Sequence, residues 1–160
     1  MDRLWAPWRI NYLRSKKKPS GCIFCRAKRS KGGGQVIFKS RNTVCLLNIY
    51  PYNNGHLLIA PLRHVADPDF LSDDEMLDIF HSLKRAKKLL RKVLAPQGYN
   101  IGFNLGAQAG AGITGHLHLH VVPRWAGDTN FMPVLSGNKV ISQSLRELAG
   151  LLKDADKQNR

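Results

Sequence analysis

The run Gly115-His116-Leu117-His118-Leu119-His120-Val121-Val122 decides how this 160-residue chain is read. Its alternation of imidazole and aliphatic side chains is the period-two pattern of a half-buried strand, predicted over residues 116–122. Side chains on a strand point alternately to opposite faces, so three imidazoles share one face and Leu117, Leu119 and Val121 the other. A lone histidine is ordinarily a satisfied core or surface residue, but three at this period beside a glycine-rich loop ask for another account. At about 3.3 Å per residue, His116 and His120 stand about 13 Å apart along an extended strand. One zinc ion needs each nitrogen at roughly 2 Å, so the three cannot share it and their roles must divide. A row of imidazoles suits phosphoryl transfer: one neutral ring attacks phosphorus while its neighbours donate hydrogen bonds to the phosphate oxygens. The middle member, His118, has a partner on each side and is the expected nucleophile. The Gly- and Ala-rich stretch 105–115 can bring backbone N–H groups to a phosphate.

Upstream, short apolar runs at residues 36–38, 43–48 and 56–60 are bounded by turn chemistry, notably Pro51 and Asn53-Asn54-Gly55. They are predicted as consecutive antiparallel strands, with a further strand at 99–104 before the glycine-rich stretch. Between them Ser72 and Glu75 have capping-box spacing, and Asp73, Asp74 and Asp78 suit the positive end of a helix dipole. Met76, Phe80, Leu83, Ala86, Leu90 and Leu94 recur at three- and four-residue steps as the predicted apolar stripe, and Pro96 ends the helix. A short helix is expected over 142–153. The expected class is α+β: an antiparallel sheet of about five strands packed by one long and one short helix, in a single domain over 1–160.

At 43% hydrophobic residues a chain of this length can bury a conventional core. No apolar run approaches the roughly 18–20 residues of a membrane span. The start MDRLWAPWRI carries charge and proline where a secretory signal has its apolar stretch, so no membrane partner and a cytoplasmic location are expected. The net charge of +14 is uneven: residues 1–31 hold ten Lys/Arg against one acid. Such a basic end suits an anionic partner, whether nucleotide, polyphosphate or nucleic acid, and equally a solvated surface segment. Three cysteines give no even disulfide framework. Cys22-Ile23-Phe24-Cys25 reads as half of a metal site, a redox pair or a free thiol pair. A structural zinc site needs four ligands, and without a second such pair the partners would be histidines.

The histidine run resembles the histidine-triad family of nucleotide hydrolases and transferases, together with Leu46-Leu47-Asn48, Gly55-His56-Leu57-Leu58-Ile59-Ala60-Pro61, Pro123-Arg124-Trp125 and Gly127-Asp128-Thr129-Asn130-Phe131-Met132-Pro133. With Leu4-Trp5-Ala6-Pro7-Trp8-Arg9, the resemblance is to the bacterial branch related to diadenosine tetraphosphate phosphorylases and hydrolases. It implies the family's fold and a covalent nucleotidyl intermediate on His118, with His120 and His56 contacting phosphate oxygens or the leaving group. It implies Leu46 at the base, Asn48 at the ribose and Asn104 at the polyphosphate, and a homodimer. Strand parity independently sets Leu46 and Asn48 on one face and Cys45 and Leu47 on the other, making Cys45 a core residue. The resemblance also implies a structural zinc held by Cys22, Cys25, His64 and His116, which leaves His118 and His120 for chemistry. One departure is Gly112, where many members carry Gln or Ser; backbone N–H groups or Thr114 would take that role.

Three functions follow. The first is an enzyme acting on dinucleoside polyphosphates with inorganic phosphate as the favoured acceptor, the alternative being a hydrolase of dinucleoside polyphosphates or nucleoside phosphoramidates. Arg124, just past the triad of a strongly basic protein, is read as part of a cationic route for phosphate. The second is a nucleic-acid-binding protein using the basic N-terminal segment, whose binding would fall steeply with salt. The third is a nucleotide-binding protein without useful turnover.

Overall fold

The structure, a computed structural model, describes residues 21–30, 34–129 and 140–158. Residues 4–9, the lysines at 16–18 and residues 130–133 therefore lie outside the described residues, as does most of the basic N-terminal segment. Five strands form one antiparallel sheet: β1 (Val36–Lys39), β2 (Thr43–Leu47), β3 (Leu57–Pro61), β4 (Gly98–Phe103) and β5 (Leu119–Arg124). Their order is β1-β2-β3-β5-β4, so the strand that carries His120 is inserted between β3 and β4. Among the described residues three helices accompany it: α1 (Ile23–Arg29), α2 (Asp73–Leu94) and α3 (Leu145–Lys157). The α+β class is as expected, with α1 an addition: a seven-residue helix in the segment read only as a metal-anchored arm. No helix among the described residues is long and apolar enough to cross a membrane.

The two faces of the sheet have different tasks. Cys45, Leu47, Leu57, Ile59, Leu119 and Val121 join Ile79, Ala86, Leu89 and Leu90 of α2 and Leu148 and Leu152 of α3 in the main core. Val44, Leu46, Leu58 and Ala60 face the other way, onto Phe24 and Ala27 of α1. Cross-strand partners share a face, so the pairs Leu46↔Leu58 and Leu58↔His120 place His120 on the α1 side. Cys45 is fully buried, which pushes its thiol pKa up and makes it inert core.

The long helix starts where expected. Ser72 Oγ accepts the Glu75 N–H and the Glu75 carboxylate accepts the Ser72 N–H at 2.9 Å, closing the capping box. It ends at Ala95, a left-handed residue just before Pro96. Its buried stripe is rotated from the prediction. Met76 and Phe80 are 40% and 61% exposed, while Glu75, Ile79, Ser82, Ala86, Leu89 and Leu90 face inward. The reason is polar. Asp78 accepts the Asn42 N–H at 2.9 Å and the Ser40 hydroxyl, and Ser82 and Thr43 exchange a hydrogen bond at 2.6 Å. These bonds turn the first half of α2 toward the β1–β2 connection, and an apolar-periodicity reading does not weigh them. The terminal helix begins after its cap Ser144 and runs to Lys157, later than the predicted 142–153. Arg85 grips the buried Asp156 with two bonds of 2.7 Å and lies over Phe38, joining α2 to α3 and β1.

The predicted strand over 116–122 is displaced to Leu119–Arg124, because ladder pairing begins only at Leu119. The last pairs of both neighbours, Ile59↔Leu119 and Phe103↔Leu119, end there. Before it the Leu117 N–H bonds instead to Val65 O at 2.6 Å, so His116 and His118 precede the ladder.

Gly55, which leads into His56, has φ +75. A Cβ there would stand 2.5 Å from Leu94 Cδ1 and 3.2 Å from both Leu90 Cδ2 and Pro123 Cγ. Gly55→Ala combines overpacking with a disfavoured backbone, and overpacking alone costs roughly 1–3 kcal/mol. We expect a fall of at least that size in the free energy of denaturant unfolding; an unchanged midpoint would contradict this packing.

Candidate functional site

The site is assembled at the ends of strands. His56 ends the Pro51–Gly55 turn, where its N–H bonds to Asn53 O and its carbonyl accepts the Asn48 N–H. His118 and His116 come from the segment entering β5, and His120 from β5 itself. His56 and His120 lie in hydrogen-bond contact, Nε2 to Nδ1 at 3.0 Å, although 64 residues separate them in the chain.

Hydrogen bonding sets the tautomer of each ring. His56 Nδ1 accepts the Tyr52 N–H at 3.0 Å, so its proton is on Nε2 and is donated to His120 Nδ1. His120 therefore carries its own proton on Nε2. His118 behaves differently: its Nδ1–H donates to the His116 carbonyl at 2.8 Å, which leaves the lone pair on Nε2. His116 is reversed again, with Nε2–H donating to Pro61 O at 2.9 Å and the lone pair on Nδ1. Burial depresses the pKa of His118, and of His116 as well. Burial, followed by repulsion from His120 and His118, takes His56 down to about 3. At neutral pH His56, His116 and His118 are therefore neutral imidazoles.

The Nδ1 lone pair of His116 faces a second group. Cys22 Sγ lies 3.2 Å from it, Cys25 Sγ 3.8 Å and His64 Nδ1 3.1 Å, with Cys25 Sγ 3.2 Å from His64 Nδ1. All four donor atoms lie within 4.8 Å of one another. Two sulfurs and two imidazole nitrogens at this spacing fit a tetrahedral site, and Pro61 fixes the ligand tautomer from outside. The cysteine pair and both histidines expected from the sequence thus converge. Arg63, beside His64, donates to both Glu75 oxygens at 3.0 and 2.7 Å and also to Phe70 O, clamping the His64 loop to α2. That pairing holds the Glu75 carboxyl down at about 2.

The expected substrate residues are placed less tightly. Leu46 is buried on the His120 face. Asn48 is half-buried, with Oδ1 accepting the Tyr50 N–H and Nδ2 3.2 Å from His56 Nδ1, so it touches the histidine network directly. Asn104 follows β4 one residue past the Phe103↔Leu119 pair. Gly112 and Thr114 lie in the loop that folds on itself through Gly110 N–H to Ala107 O and Ala111 N–H to Gly106 O. The cationic route read into Arg124 is not supported. Its guanidinium is held by Asp128 at 2.6 and 2.9 Å and by Asn100 at 2.6 Å, so its charge is met within the fold. Asp128 also accepts from Asn53 and from the Trp125 N–H, which makes the group a brace between the His56 turn and the end of β5.

Two aromatic residues of the site were not singled out in the sequence. Phe24, 1% exposed, has its ring 5.0 Å from those of both His116 and His118. Tyr52 packs at 4.7 Å from His56 and lies parallel to His120, at 5.6 Å and 7°. Phe24 had a signal, an aromatic residue inside the cysteine pair; Tyr52 had none, since turn tyrosines are common surface residues.

His56 makes folding sensitive to pH. It is neutral in the fold down to about pH 3, whereas its ordinary pKa is 6.5. As pH falls through that window the unfolded chain binds the extra proton, so stability is full above about 6.5 and lost downward. Melting temperature should therefore fall between pH 6.5 and 4.5, above the range where Glu75 contributes. His56→Asn should flatten the slope; equal slopes in the two proteins would contradict this account.

Residues 30–127, from the end of α1 to just past β5, match the family model described as HIT domain. An AP-4-A phosphorylase of Mycobacterium tuberculosis is 38% identical, over 95% of this chain and 83% of that protein. A bis(5'-nucleosyl)-tetraphosphatase (asymmetrical) of Schizosaccharomyces pombe is 31% identical, over 60% of this chain and 52% of its own length. Among solved structures, a Zn-bound histidine triad family protein from Mycobacterium smegmatis superposes with a TM-score of 0.69 at 27% identity, over 86% of this chain and 94% of that one. The matched span holds the whole sheet, the long helix and every histidine of the row, and the chain belongs to the HIT domain family.

Proposed function

We propose that this chain is a nucleotidyl-transferring enzyme that cleaves dinucleoside polyphosphates, such as diadenosine tetraphosphate, through a covalent nucleotidyl-His118 intermediate. The observation that carries this reading is the 2.8 Å bond from His118 Nδ1–H to the His116 carbonyl, which leaves a lone pair on Nε2 of a buried, neutral ring. Nε2 forms a P–N bond to the α-phosphorus, the bridging P–O bond breaks, and its electron pair stays on the departing nucleotide. The ring becomes cationic, and the Nδ1–H bond to the carbonyl strengthens as it does. His120, with its proton on Nε2, donates a hydrogen bond to phosphate or leaving oxygen without giving the proton up. His56 holds it in that tautomer. Leu46 and Asn48 would face the nucleoside, and Asn104, Gly112 and Thr114 the polyphosphate. The second displacement, by inorganic phosphate, releases ADP and restores His118; by water, it releases AMP. Similarity to the phosphorylase over nearly the whole chain favours phosphate, and similarity to the tetraphosphatase carries the hydrolase alternative.

The donor set of Cys22, Cys25, His64 and His116 fits zinc, and the Zn-bound relative supports that choice of metal. Bound there, the ion is structural, joining α1 to the β3–α2 loop and to the segment that carries His118. A homodimer is supported by β4, an edge strand that leaves Ile101 and Phe103 41% and 37% exposed. The three free cysteines accord with a cytoplasmic location.

His118→Asn should abolish turnover of diadenosine tetraphosphate and the acid-labile nucleotidyl adduct while leaving nucleotide binding measurable. His120→Ala and His56→Ala should lose less, about 10²–10⁴-fold in rate. Near-wild-type rates in His118→Asn would refute the mechanism. Millimolar inorganic phosphate should change the products from ATP and AMP to ATP and ADP; a rate and product set indifferent to phosphate would make the enzyme a hydrolase. Elemental analysis of untagged protein should find one zinc per chain, and Cys22→Ala should lower the melting temperature. A metal-free native protein would remove the zinc assignment.

A further inference from the structure

The His56–His120 pair has a neighbour that touches both rings. The Tyr52 ring lies parallel to His120 at 5.6 Å and tilted against His56 at 4.7 Å. The same residue donates its main-chain N–H to His56 Nδ1 at 3.0 Å. Its side chain is 45% exposed while His56 is 0% exposed, so the ring lies between the pair and solvent. We propose that Tyr52 is a positioning residue for departure of the leaving group: it locks His56 and His120 into the single tautomer chain that presents Nε2–H of His120 to the leaving oxygen.

The argument is one of competing hydrogen bonds. A neutral imidazole has two tautomers of similar energy, and water reaching either nitrogen can stabilise the wrong one. In His120 the wrong tautomer would turn the donor at Nε2 into an acceptor facing an oxyanion. Two features prevent this. The Tyr52 N–H commits His56 Nδ1 as acceptor, which commits His56 Nε2 as donor and His120 Nδ1 as acceptor. The ring covers the pair, keeping water from breaking the 3.0 Å bond between them, and its packing holds the turn that aims the N–H. Pro51 precedes Tyr52, and the next residue, Asn53, donates its side-chain N–H to Pro123 O at 3.1 Å and to Asp128 at 2.8 Å, so the ring's neighbours in the chain are fixed. The hydroxyl has no part in this; the aromatic face does. No proton is transferred: the P–O electron pair leaves with the oxygen, and the His120 N–H stabilises it in place.

The inference rests on the roles proposed above for His118 and His120, so its test has one arm that does not need turnover. In the first arm, side-chain nitrogen NMR of the intact protein reports the tautomers directly. Wild type and Tyr52→Phe should show His120 protonated on Nε2 alone, whereas Tyr52→Ala and Tyr52→Leu should show averaged tautomers at His120. Unchanged nitrogen shifts in both of the latter variants would overturn the proposal whatever the enzyme does. In the second arm, adenosine 5'-aryl phosphates with phenol and p-nitrophenol as leaving groups are compared. Loss of a donor to the leaving oxygen penalises the poorer leaving group more. Tyr52→Ala should lower kcat for the phenyl ester by about ten- to a hundredfold, the range expected for a misplaced group. The p-nitrophenyl ester should lose much less, KM should hold, and Tyr52→Phe should restore both. A rise in KM with kcat unchanged would make Tyr52 a substrate platform and overturn the positioning role. Wild-type protein inert toward these esters and diadenosine tetraphosphate would overturn the proposed function, leaving the NMR arm to decide Tyr52.

Discussion

The site depends on a single residue used twice. The His116 ring turns Nδ1 into the cluster of Cys22, Cys25 and His64, with Nε2–H spent on the Pro61 carbonyl. The His116 main-chain carbonyl meanwhile takes the Nδ1–H of His118. Anything that holds the His116 side chain therefore also holds the acceptor that orients the His118 ring. Two adjacent members of one alternating row end up in opposite tautomers, each dictated by a carbonyl. One lone pair, on Nδ1 of His116, faces Cys22, Cys25 and His64; the other lies on Nε2 of His118.

This arrangement is possible because the ladder stops short. Pairing at Leu119 frees the two residues before it from strict strand geometry, and the bond from Leu117 N–H to Val65 O swings the segment toward the loop that carries His64. The same loop is braced through Arg63 to Glu75 at the start of α2. The capping carboxylate thus serves the helix terminus and the ligand loop together. Such a doubly used, half-buried pair is worth more than an exposed surface bridge, because its geometry is held from both sides.

The division of the sheet's faces explains the polarity of the site. Helices α2 and α3 close one face with aliphatic side chains and leave no room there for chemistry. The opposite face is covered only partly, by α1, whose Phe24 lies against both His116 and His118. The histidines sit where apolar cover gives way to solvent. His56, His116 and His118 are buried enough to stay neutral, while His120 and Tyr52 remain partly open.

Much of this was legible in the residues alone. Alternation in His116–Val121 reported the strand from Leu119 onward, though of the three imidazoles only His120 lies on it, and the Ser72–Glu75 spacing placed the start of the long helix, because both are local patterns. The cluster of Cys22, Cys25, His64 and His116 was reachable only through resemblance, since its members lie far apart in the chain. Other features depend on contacts that no local pattern carries. The α2 stripe was misplaced because Asp78 and Ser82 bind the β1–β2 connection and rotate the helix. Arg124 was read as a free cation because Asp128, though only four residues on, meets it through a turn rather than a helix or strand face. The sequence by itself determined which residue types exist to do the chemistry and which elements carry them. The tertiary structure decided the proton on each nitrogen, because a tautomer is set by the one hydrogen-bond partner that folding brings to it.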